Sequence, residues 1–418
     1  MMSFDEALAY LLSLGHETLT IKLGLRNTER LLAALGDPQK DYPAVQIAGT
    51  NGKGSTAVML DSICRSAGIR TGLFTSPHLI SITERIRIDG DDISEAEFAR
   101  LTTMVRRTAE DLFARGELET LPTFFEHGTA IALLAFRDAK VDLAILETGL
   151  GGRLDSTTAA GASIVAITQI AMDHEEYLGH TLAEIAAEKA AIIRPGVTAI
   201  IAPQADEALR VIANRSETAR VTPRFVTGVE NASLGLRGRH QSTNAATAIA
   251  IAEALREQGF TISNEAIRGG LETARHPGRL ELWPGAPQIL FDGAHNPAAA
   301  RALREYLDEF VTQPVTMIFG AMRDKALAEM AAILFPAARE LILTQIENPR
   351  AASIEIMRPA VPDSLDLRVH GAASVPEALG IAREITPANG LICVTGSLYL
   401  IGEVQQSLRR EDSFSLAP

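Results

Sequence analysis

A glycine-rich heptapeptide in the first part of the chain has the residue types and the spacing of a phosphate-binding loop. It consists of Gly49, Thr50, Asn51, Gly52, Lys53, Gly54 and Ser55. A glycine-rich turn that leads from a strand into a helix directs several backbone N–H groups, and the positive end of the helix dipole, at one point. Lys53 adds a mobile positive charge, and the hydroxyl of Ser55 or Thr56 suits a phosphate oxygen or a metal ion. The sequence therefore predicts that this loop binds the phosphates of a nucleotide.

The loop departs in two places from the common P-loop pattern G-x-x-x-x-G-K-[ST]. Ile47 stands where that pattern begins with glycine, and Gly54 follows the lysine where serine or threonine is usual. An ordinary tight turn is the alternative interpretation. The density of glycine, lysine and hydroxyl residues directly after a strand favours phosphate binding.

The elements around this loop alternate between strand-like and helix-like patterns, which predicts a mostly parallel sheet covered by helices on both faces. The predicted strands are residues 44–48, 71–75, 143–147, 163–170 and 199–203. The predicted helices are residues 56–67, 95–115, 124–137, 182–193, 243–259 and 264–274. Since ligands of such sheets bind beyond the carboxyl ends of the strands, we expect the chemically active side chains there.

Three side chains that follow separate strands could hold a metal ion. They are Ser76, Glu147 and His174. Hard oxygen ligands with one imidazole suit Mg²⁺ or Mn²⁺ beside phosphates. Each residue also has a structural interpretation: a turn residue before Pro77, a cap for the glycine-rich turn that follows Glu147, and a surface-loop histidine. Their joint position beside a phosphate loop favours a metal site.

A lysine lies in an otherwise apolar helical segment. Lys189 follows Glu188 between Ile185 and Ile193. Such a lysine commonly extends to solvent, which is the structural alternative. If the side chain instead turns into the site, burial favours its neutral amine. A neutral amine can take up CO₂ and become an anionic carbamate.

The alternation of strands and helices begins again after a Pro-Gly break at residues 275–279, which we interpret as an interdomain hinge. This places a domain with the phosphate loop over residues 1–274 and a smaller α/β domain over residues 280–418. The predicted strands of the smaller domain are residues 288–292, 315–319, 341–344 and 391–395. Asp292 and His295 follow its first strand, at the edge where a ligand is expected.

Two further residues near this break have open interpretations. Arg279 could reach a phosphate, or it could be a solvated charge. Asn296 precedes Pro297 and is interpreted as a helix N-cap.

The composition restricts the partners of the chain. Its 418 residues carry a formal net charge of −13, so a nucleic-acid partner is not expected. Cys64 and Cys393 lie in apolar contexts far apart, which indicates buried thiols in a reducing compartment. No signal segment or membrane-length apolar run is evident. We therefore expect a cytoplasmic protein without a membrane partner. We also expect a monomer whose partners are small molecules.

The motifs taken together resemble folylpolyglutamate synthase, or the bifunctional dihydrofolate synthase/folylpolyglutamate synthase, within the Mur-ligase superfamily. The similarity extends over about residues 5–403. The motifs that carry it, in chain order, are residues 49–55, Thr75-Ser76-Pro77-His78, 147–155, Asp173-His174, Glu188-Lys189-Ala190, His276-Pro277-Gly278-Arg279, 292–297 and Gly396-Ser397-Leu398-Tyr399. The resemblance implies an N-terminal P-loop ATPase domain, a smaller C-terminal Rossmann-like domain, and ATP-dependent ligation of L-glutamate to a pteroate or folate carboxylate.

The resemblance also implies roles for individual residues. Residues 49–55 with Asn244, Arg279 and Asp292 would bind ATP, and Ser76, Glu147 and His174 would bind Mg²⁺. The catalytic residues would be Lys53, a carbamylated Lys189, and His295 near the transferred phosphoryl group. The acceptor, dihydropteroate or a folate, would contact Leu23, Thr123, Phe124, Phe125, Asp155 and Ser156. From its own pattern, Phe124 could stack on a heteroaromatic ring, although a core position is the commoner role of a phenylalanine.

The chain departs from the family pattern in three places. Gln46 stands where histidine is usual, Thr158 replaces the asparagine of a Thr-Asn pair, and Ala171-Met172 replaces a Gly-Leu-like pair. We expect little effect from Gln46, which lies on the strand behind the phosphate loop. The change at Thr158 flanks the acceptor pocket that the resemblance implies.

Two other functions share some of these features. Another amino-acid ligase of the superfamily, such as a muramyl-peptide ligase, would carry an extra N-terminal domain, for which 48 residues before Gly49 are too few. A P-loop kinase or a nucleotide switch would share the loop, but it would turn over nucleotide without regard to glutamate.

Overall fold

The computed structural model describes residues 1–15, 24–230, 232–362 and 364–415. These residues form two compact units. The first unit comprises residues 1–235 and 242–275, and the second comprises residues 236–241 and 276–418. The chain thus passes into the second unit within the predicted hinge, and a short earlier segment, 236–241, also belongs to that unit. The functional domain boundaries stay a prediction.

The first unit contains an eight-stranded sheet with helices. Its strands are β1 (Ala44–Ala48), β2 (Thr71–Phe74), β3 (Ile86–Ile88), β4 (Asp91–Asp92), β5 (Leu143–Glu147), β6 (Ile164–Ile167), β7 (Thr198–Ile201) and β8 (Arg224–Phe225). Its helices are α1 (Phe4–Ser13), α2 (Arg26–Ala34), α3 (Lys53–Ser66), α4 (Glu95–Ala114), α5 (Phe124–Asp138), α6 (Glu175–Leu178), α7 (Leu182–Ala190), α8 (Asp206–Ala219), α9 (Gln241–Glu257) and α10 (Asn264–Thr273).

The strand order in this sheet is β4-β3-β2-β5-β1-β6-β7-β8. The pairs of β2, β5, β1, β6, β7 and β8 are parallel, and β3 and β4 add an antiparallel edge. All residues of β1 and β5 are buried, as expected for strands whose two faces are both covered. Because β1 lies between β5 and β6, the segments that follow these three strands leave the sheet side by side.

The outer strand β4 is very short and acidic. Both of its residues, Asp91 and Asp92, are exposed. Asp92 accepts a hydrogen bond from the Arg87 side chain of the neighbouring strand at 2.9 Å.

Side-chain caps determine where several of the helices begin. Thr123 accepts a hydrogen bond from the backbone N–H of Glu126, whose carboxylate accepts from the Thr123 N–H, and this capping box starts α5. Thr181 and Glu184 form the same arrangement at α7. Helix α3 instead starts after Gly52, which has φ 91° in the left-handed region and lacks a side-chain cap. The first N–H groups of α3 therefore belong to the phosphate loop, and the N-cap residue has no side chain to bond them.

The second unit is built on a six-stranded sheet. Its strands are β9 (Glu281–Trp283), β10 (Gln288–Asp292), β11 (Val315–Phe319), β12 (Glu340–Thr344), β13 (Arg368–Ala372) and β14 (Leu391–Thr395). Its helices are α11 (Pro297–Phe310), α12 (Leu327–Leu334), α13 (Ile354–Met357), α14 (Val375–Ile385) and α15 (Leu398–Ser415). The order is β13-β12-β11-β14-β10-β9, and every pair is parallel except β9 with β10.

The predicted two-domain α/β fold with mostly parallel sheets is confirmed, and several predicted bounds are corrected. Strands β1, β5, β10, β11 and β14 have the predicted bounds. The strand predicted over residues 163–170 is only Ile164–Ile167, and helix α3 begins at Lys53 rather than near Thr56. The short edge strands β4 and β8 were not predicted, because two residues are too few for a periodic pattern. Among the described residues, none of the helices is both long and apolar enough to cross a bilayer.

Helices α1 and α5 of the first unit are joined by a buried histidine. His127 Nδ1 lies 3.0 Å from the carbonyl oxygen of Thr123, which can only accept, so Nδ1 carries the hydrogen. Its Nε2 then accepts from the Tyr10 hydroxyl at 3.1 Å. Burial lowers the pKa of His127 from 6.5 to about 4. The neutral ring thus holds two helices together.

This histidine is expected to make folding sensitive to acid. Between pH 6.5 and 4 the unfolded chain binds a proton that the folded chain excludes, so stability falls as the pH falls through this window. The free energy of unfolding should fall between pH 7 and pH 4.5, and His127→Gln should make this fall smaller by between about 2 and 3 kcal/mol. Urea unfolding of both proteins at the two pH values measures this difference. His180→Gln is the control, since the His180 side chain is 81% exposed; an equal change in both variants would contradict the assignment.

Candidate active site

The phosphate loop is held against the segment that follows β6. The backbone N–H groups of Thr50 and Asn51 donate to the carbonyl oxygen of Gln169 at 2.8 and 3.1 Å. The Thr50 hydroxyl donates to the Ala171 carbonyl and accepts from the Ala171 N–H, both at 3.1 Å. These bonds fix the first half of the loop. The backbone at Gly52 and beyond enters α3, whose N-terminus attracts anions.

Two glycines of this loop are required by close packing. A Cβ atom on Gly49, where φ is 145°, would lie 1.9 Å from Thr168 Oγ1. A Cβ atom on Gly52 would lie 2.2 Å from Asn244 Oδ1 on α9. The Asn244 side chain, which was predicted to bind ATP, therefore lies directly over the loop.

Two lysines lie at the loop. Lys53 Nζ donates to the Thr50 carbonyl oxygen at 3.1 Å. Lys189 Nζ donates to the Gly49 carbonyl oxygen at 2.8 Å, and Lys189 is 5% exposed. The solvent-exposed alternative for Lys189 is therefore wrong. Burial, and then the positive charge of Lys53, lower the pKa of Lys189 to about 7, against the opposing effect of Asp173 and Asp155.

The first turn of α3 buries a hydroxyl without a protein partner. Thr56 is completely buried, and its Oγ1 has no hydrogen-bond partner among the residues that the structure describes. Buried hydroxyl groups are normally paired. An unpaired hydroxyl at this helix terminus fits a loop whose polar groups are completed by a ligand.

Two of the three predicted metal ligands are brought together. The Ser76 backbone N–H donates to Glu147 Oε2 at 3.1 Å, and Glu147 is 5% exposed. His174 has φ 53° at the N-cap of α6, and its N–H donates to the carboxylate of Asp173. In the described ranges there is no group of three or more His, Cys, Asp or Glu side chains suited to a metal ion. A metal ion bound by these residues would thus need the Ser76 hydroxyl or non-protein oxygen atoms as additional ligands.

The predicted acceptor residues lie on α5 and on the turn after β5. Phe124 is 6% exposed, and the Arg85 guanidinium lies 5.3 Å from the centre of its ring. A Cβ atom on Gly149 would lie 2.4 Å from the Phe125 ring, so this ring covers the glycine-rich turn. Ser156 and Thr129 of α5 share a hydrogen bond of 2.5 Å. Leu23 lies outside the described residues.

Asp155 organises the turn after β5. Its Oδ2 accepts from the Leu150 N–H at 2.9 Å, and its Oδ1 accepts from the Thr157 N–H and hydroxyl at 3.0 and 2.5 Å. Burial raises the pKa of Asp155, and these donors oppose the effect. Asp155 therefore organises the turn after β5 from within; residues 148–158, which include the predicted acceptor residues Asp155 and Ser156, are named the acceptor segment.

The predicted ligands of the second unit surround a tight turn before β9. Asp292 accepts from the N–H groups of Leu280 and Ala294, both at 3.0 Å, and Leu280 has φ 45°. Arg279 donates to the Gly293 carbonyl oxygen at 3.2 Å, and His295 Nδ1 lies 2.8 Å from the same oxygen. Arg279 and His295 thus meet at the carbonyl oxygen of Gly293, the residue that directly follows Asp292.

The asparagine after His295 has the structural role that was predicted. Asn296 Oδ1 accepts from the Ala299 N–H and caps α11.

Several contacts of the site were missed from the sequence. These are the bonds from Thr129 to Ser156, from Arg85 to His78 and Phe124, and from Gln46 to Thr148, Thr157 and Thr158. The departures from the family motif at Gln46 and Thr158 were visible in the sequence, and they could have indicated a contact between these two positions.

Comparison with known proteins identifies the family of this chain. The family model of the Mur ligase middle domain matches residues 47–233, and that of the Mur ligase glutamate ligase domain matches residues 278–398. The chain is 34% identical to the dihydrofolate synthase/folylpolyglutamate synthase of Bacillus subtilis, over 93% of this chain and 96% of that protein.

A longer relative and a solved structure extend the comparison. A probable bifunctional folylpolyglutamate synthase/dihydropteroate synthase of Halobacterium salinarum is 36% identical over 97% of this chain, which spans about half of that relative, 51% of its length. A crystal structure of a bifunctional folylpolyglutamate synthase/dihydrofolate synthase with Mn, AMPPNP and L-glutamate bound has a TM-score of 0.86 and 32% identity, and the match covers 98% of both chains. The chain belongs to the folylpolyglutamate synthase and dihydrofolate synthase family of ATP-dependent ligases, within the Mur ligase superfamily.

Proposed function

We propose that this chain joins L-glutamate to the carboxylate of dihydropteroate and of folates at the expense of ATP, and so has both activities of the bifunctional enzymes. The observation that carries the proposal is the phosphate loop, with Lys53 bonded to it, Lys189 buried against it, and the unpaired hydroxyl of Thr56 at its base. The named activities of the relatives supply the substrates.

The chemistry requires two anions to meet. A carboxylate oxygen of the acceptor attacks the γ-phosphorus of ATP, the bond to ADP breaks, and an acyl phosphate forms. The amine of glutamate then attacks the acyl carbon, phosphate leaves with the bonding electron pair, and the amine loses its proton. Positive charge near the γ-phosphate lowers the cost of the first step. Lys53 and the N-terminus of α3 supply such charge in the first unit.

The remaining residues are proposed for binding and orientation. Residues 49–55 and Asn244 would hold the phosphates of ATP, and Arg279, Asp292 and His295 are proposed for the nucleotide and the transferred phosphoryl group. Phe125 and Ser156, with their neighbours in the acceptor segment, would bind the pterin.

A divalent cation fits the predicted ligands Ser76, Glu147 and His174, of which Glu147 lies at the carboxyl end of β5. The Glu147 carboxylate is buried beside Ser76, so it is a costly group unless a charge or strong donors compensate it. Ser76, Glu147 and His174 would hold Mg²⁺, which would neutralise charge on the phosphates. The monomeric state and the cytoplasmic location stay predictions from the sequence.

An isotope assay tests the function directly. Purified protein is supplied with ATP, Mg²⁺ and labelled glutamate, and with either dihydropteroate or tetrahydrofolate as the acceptor. We expect label in both products. Label in one product alone would rule out bifunctionality, and nucleotide turnover that ignores glutamate would favour a switch or a kinase.

Lys189 is proposed to carry a carbamate. Its pKa of about 7 keeps a large fraction of the amine neutral at neutral pH, and a neutral amine reacts with CO₂. We expect a ¹³C carbamate signal in protein kept with ¹³C-bicarbonate, and its loss in Lys189→Ala. Short carboxylic acids should partly restore the activity of Lys189→Ala but not that of Lys53→Ala. Equal restoration in both variants, or an unchanged ¹³C signal in Lys189→Ala, would contradict the carbamate.

A further inference from the structure

The side chain of Gln46 joins three separate parts of the first unit. It lies on β1 with no exposed surface. Its Nε2 atom is 2.7 Å from Thr158 Oγ1, 3.1 Å from Thr157 Oγ1 and 3.5 Å from Thr148 Oγ1. Thr148 directly follows β5 and the proposed metal ligand Glu147. Thr157 and Thr158 directly follow the proposed acceptor residues, so one amide connects the two segments.

The hydrogen-bond pattern determines which way this amide faces. The Thr157 hydroxyl donates to Asp155 and the Thr158 hydroxyl donates to the Gly152 carbonyl oxygen at 2.7 Å. Each hydroxyl has a single hydrogen, so both can only accept from Gln46. The NH₂ group of Gln46 therefore faces the threonines. Its Oε1 atom is buried without a hydrogen-bond partner among the described residues.

A buried acceptor without a partner is unfavourable, by about 1–3 kcal/mol. The hydrogen bonds that the NH₂ group of Gln46 donates to the threonines must therefore compensate for this unpaired oxygen. Gln46 donates to the Thr157 hydroxyl, and that hydroxyl and the Thr157 N–H donate to Asp155. Asp155 in turn accepts from the Leu150 N–H. Removing the amide would loosen both ends of the turn after β5.

We propose that Gln46 and Thr158 form a coupled pair that positions the acceptor segment, and that Gln46 is a positioning residue for acceptor binding. The two departures from the family motif, noted separately in the sequence, lie 2.7 Å apart. The proposal rests on the assignment of residues 155–156 to the acceptor under the proposed function.

The coupling predicts a result that neither substitution would give alone. Gln46→Leu and Thr158→Val should each raise the KM for the pterin acceptor about 10-fold, and the double variant should raise it little further, because each single change already removes the contact between the two side chains. The KM for ATP should stay within about twofold throughout, because the bonds of Thr50 and Asn51 to Gln169 are not altered. Thr102→Val is the control for the loss of a buried hydroxyl, since Thr102 bonds to the Phe98 carbonyl oxygen within α4.

A second measurement does not depend on activity. Hydrogen exchange of the Leu150 and Thr157 amides reports the turn directly, because both amides donate to Asp155. Gln46→Leu should speed their exchange about 10-fold, and Thr102→Val should leave it unchanged. Unchanged exchange in Gln46→Leu, additive effects in the double variant, or an equal rise of the KM for ATP would each overturn the proposal. A failed proposed function would be recognised separately, as an unchanged protein that incorporates no glutamate with either acceptor.

Discussion

Lys53→Ala is expected to lower both ligase activities by about 1,000-fold while the protein stays folded. The Lys53 ammonium lies at the phosphate loop, 3.1 Å from the Thr50 carbonyl oxygen, and belongs to the first turn of α3. Alanine favours helix at this position, so the loss should be confined to charge at the phosphates. Single-turnover formation of ADP, with circular dichroism of the same sample, measures both properties.

The matched control for this variant is Lys40→Ala. Lys40 has a 70% exposed side chain and pairs with Asp37, away from the loop. This substitution should change neither activity nor folding, because exposed ion pairs contribute little to stability. If Lys53→Ala kept more than a few per cent of the activity, the phosphate role of Lys53 would be wrong.

Lys189→Met is expected to stabilise the fold and to inactivate the enzyme. With CO₂ removed, the folded chain holds an amine with a pKa of about 7, against the ordinary lysine value of 10.5. Between pH 7 and pH 10.5 the unfolded chain binds a proton that the folded chain does not. The free energy of unfolding of the unchanged protein therefore rises with pH across this window, and the destabilisation by the buried amine is complete below pH 7. The apolar side chain should add about 2 kcal/mol to the free energy of unfolding at pH 7 and lower kcat at least about 100-fold.

Urea unfolding in CO₂-free buffer at pH 7 and pH 9.5 checks this prediction. The advantage of Lys189→Met should become smaller at the higher pH, because removing the proton that the unfolded chain holds costs less free energy there. Lys40→Met, an exposed counterpart, should show no such dependence. A variant that is less stable than the unchanged protein at both pH values would show that the buried amine contributes to folding rather than opposing it.

The strands and the phosphate loop could be predicted because their signals are local. Five strands have the bounds that the apolar runs indicated, since a buried parallel strand needs consecutive apolar residues. The position of the loop followed from its glycines, and the close approaches at Gly49 and Gly52 give the physical reason for them. The residues after β5 and β10 were correctly expected at strand ends.

The partners of the polar side chains could not be predicted, because they are distant in sequence. Lys189 meets Gly49 across 140 residues, and Gln46 meets Thr158 across 112 residues. Neither contact leaves a periodic pattern in the chain. The sequence showed each residue as unusual for its place, and the folded sheet was needed to show which unusual residues meet. The expectation that Gln46 has little effect is replaced by the proposal above, because its amide contacts the acceptor segment.

The acidic strand β4 at the border of the large sheet bears on how this chain behaves at high concentration. The unpaired backbone N–H and C=O groups of an outer strand can form hydrogen bonds with a strand of another copy, and such pairing begins aggregation. Here the outer strand has only two residues, and both are exposed. Asp92 is paired with Arg87, but Asp91 adds a carboxylate at the border. Copies that approach along this border find few backbone groups to pair with and bring their Asp91 carboxylates together, so an abundant pool of the enzyme would be protected from fibrous association.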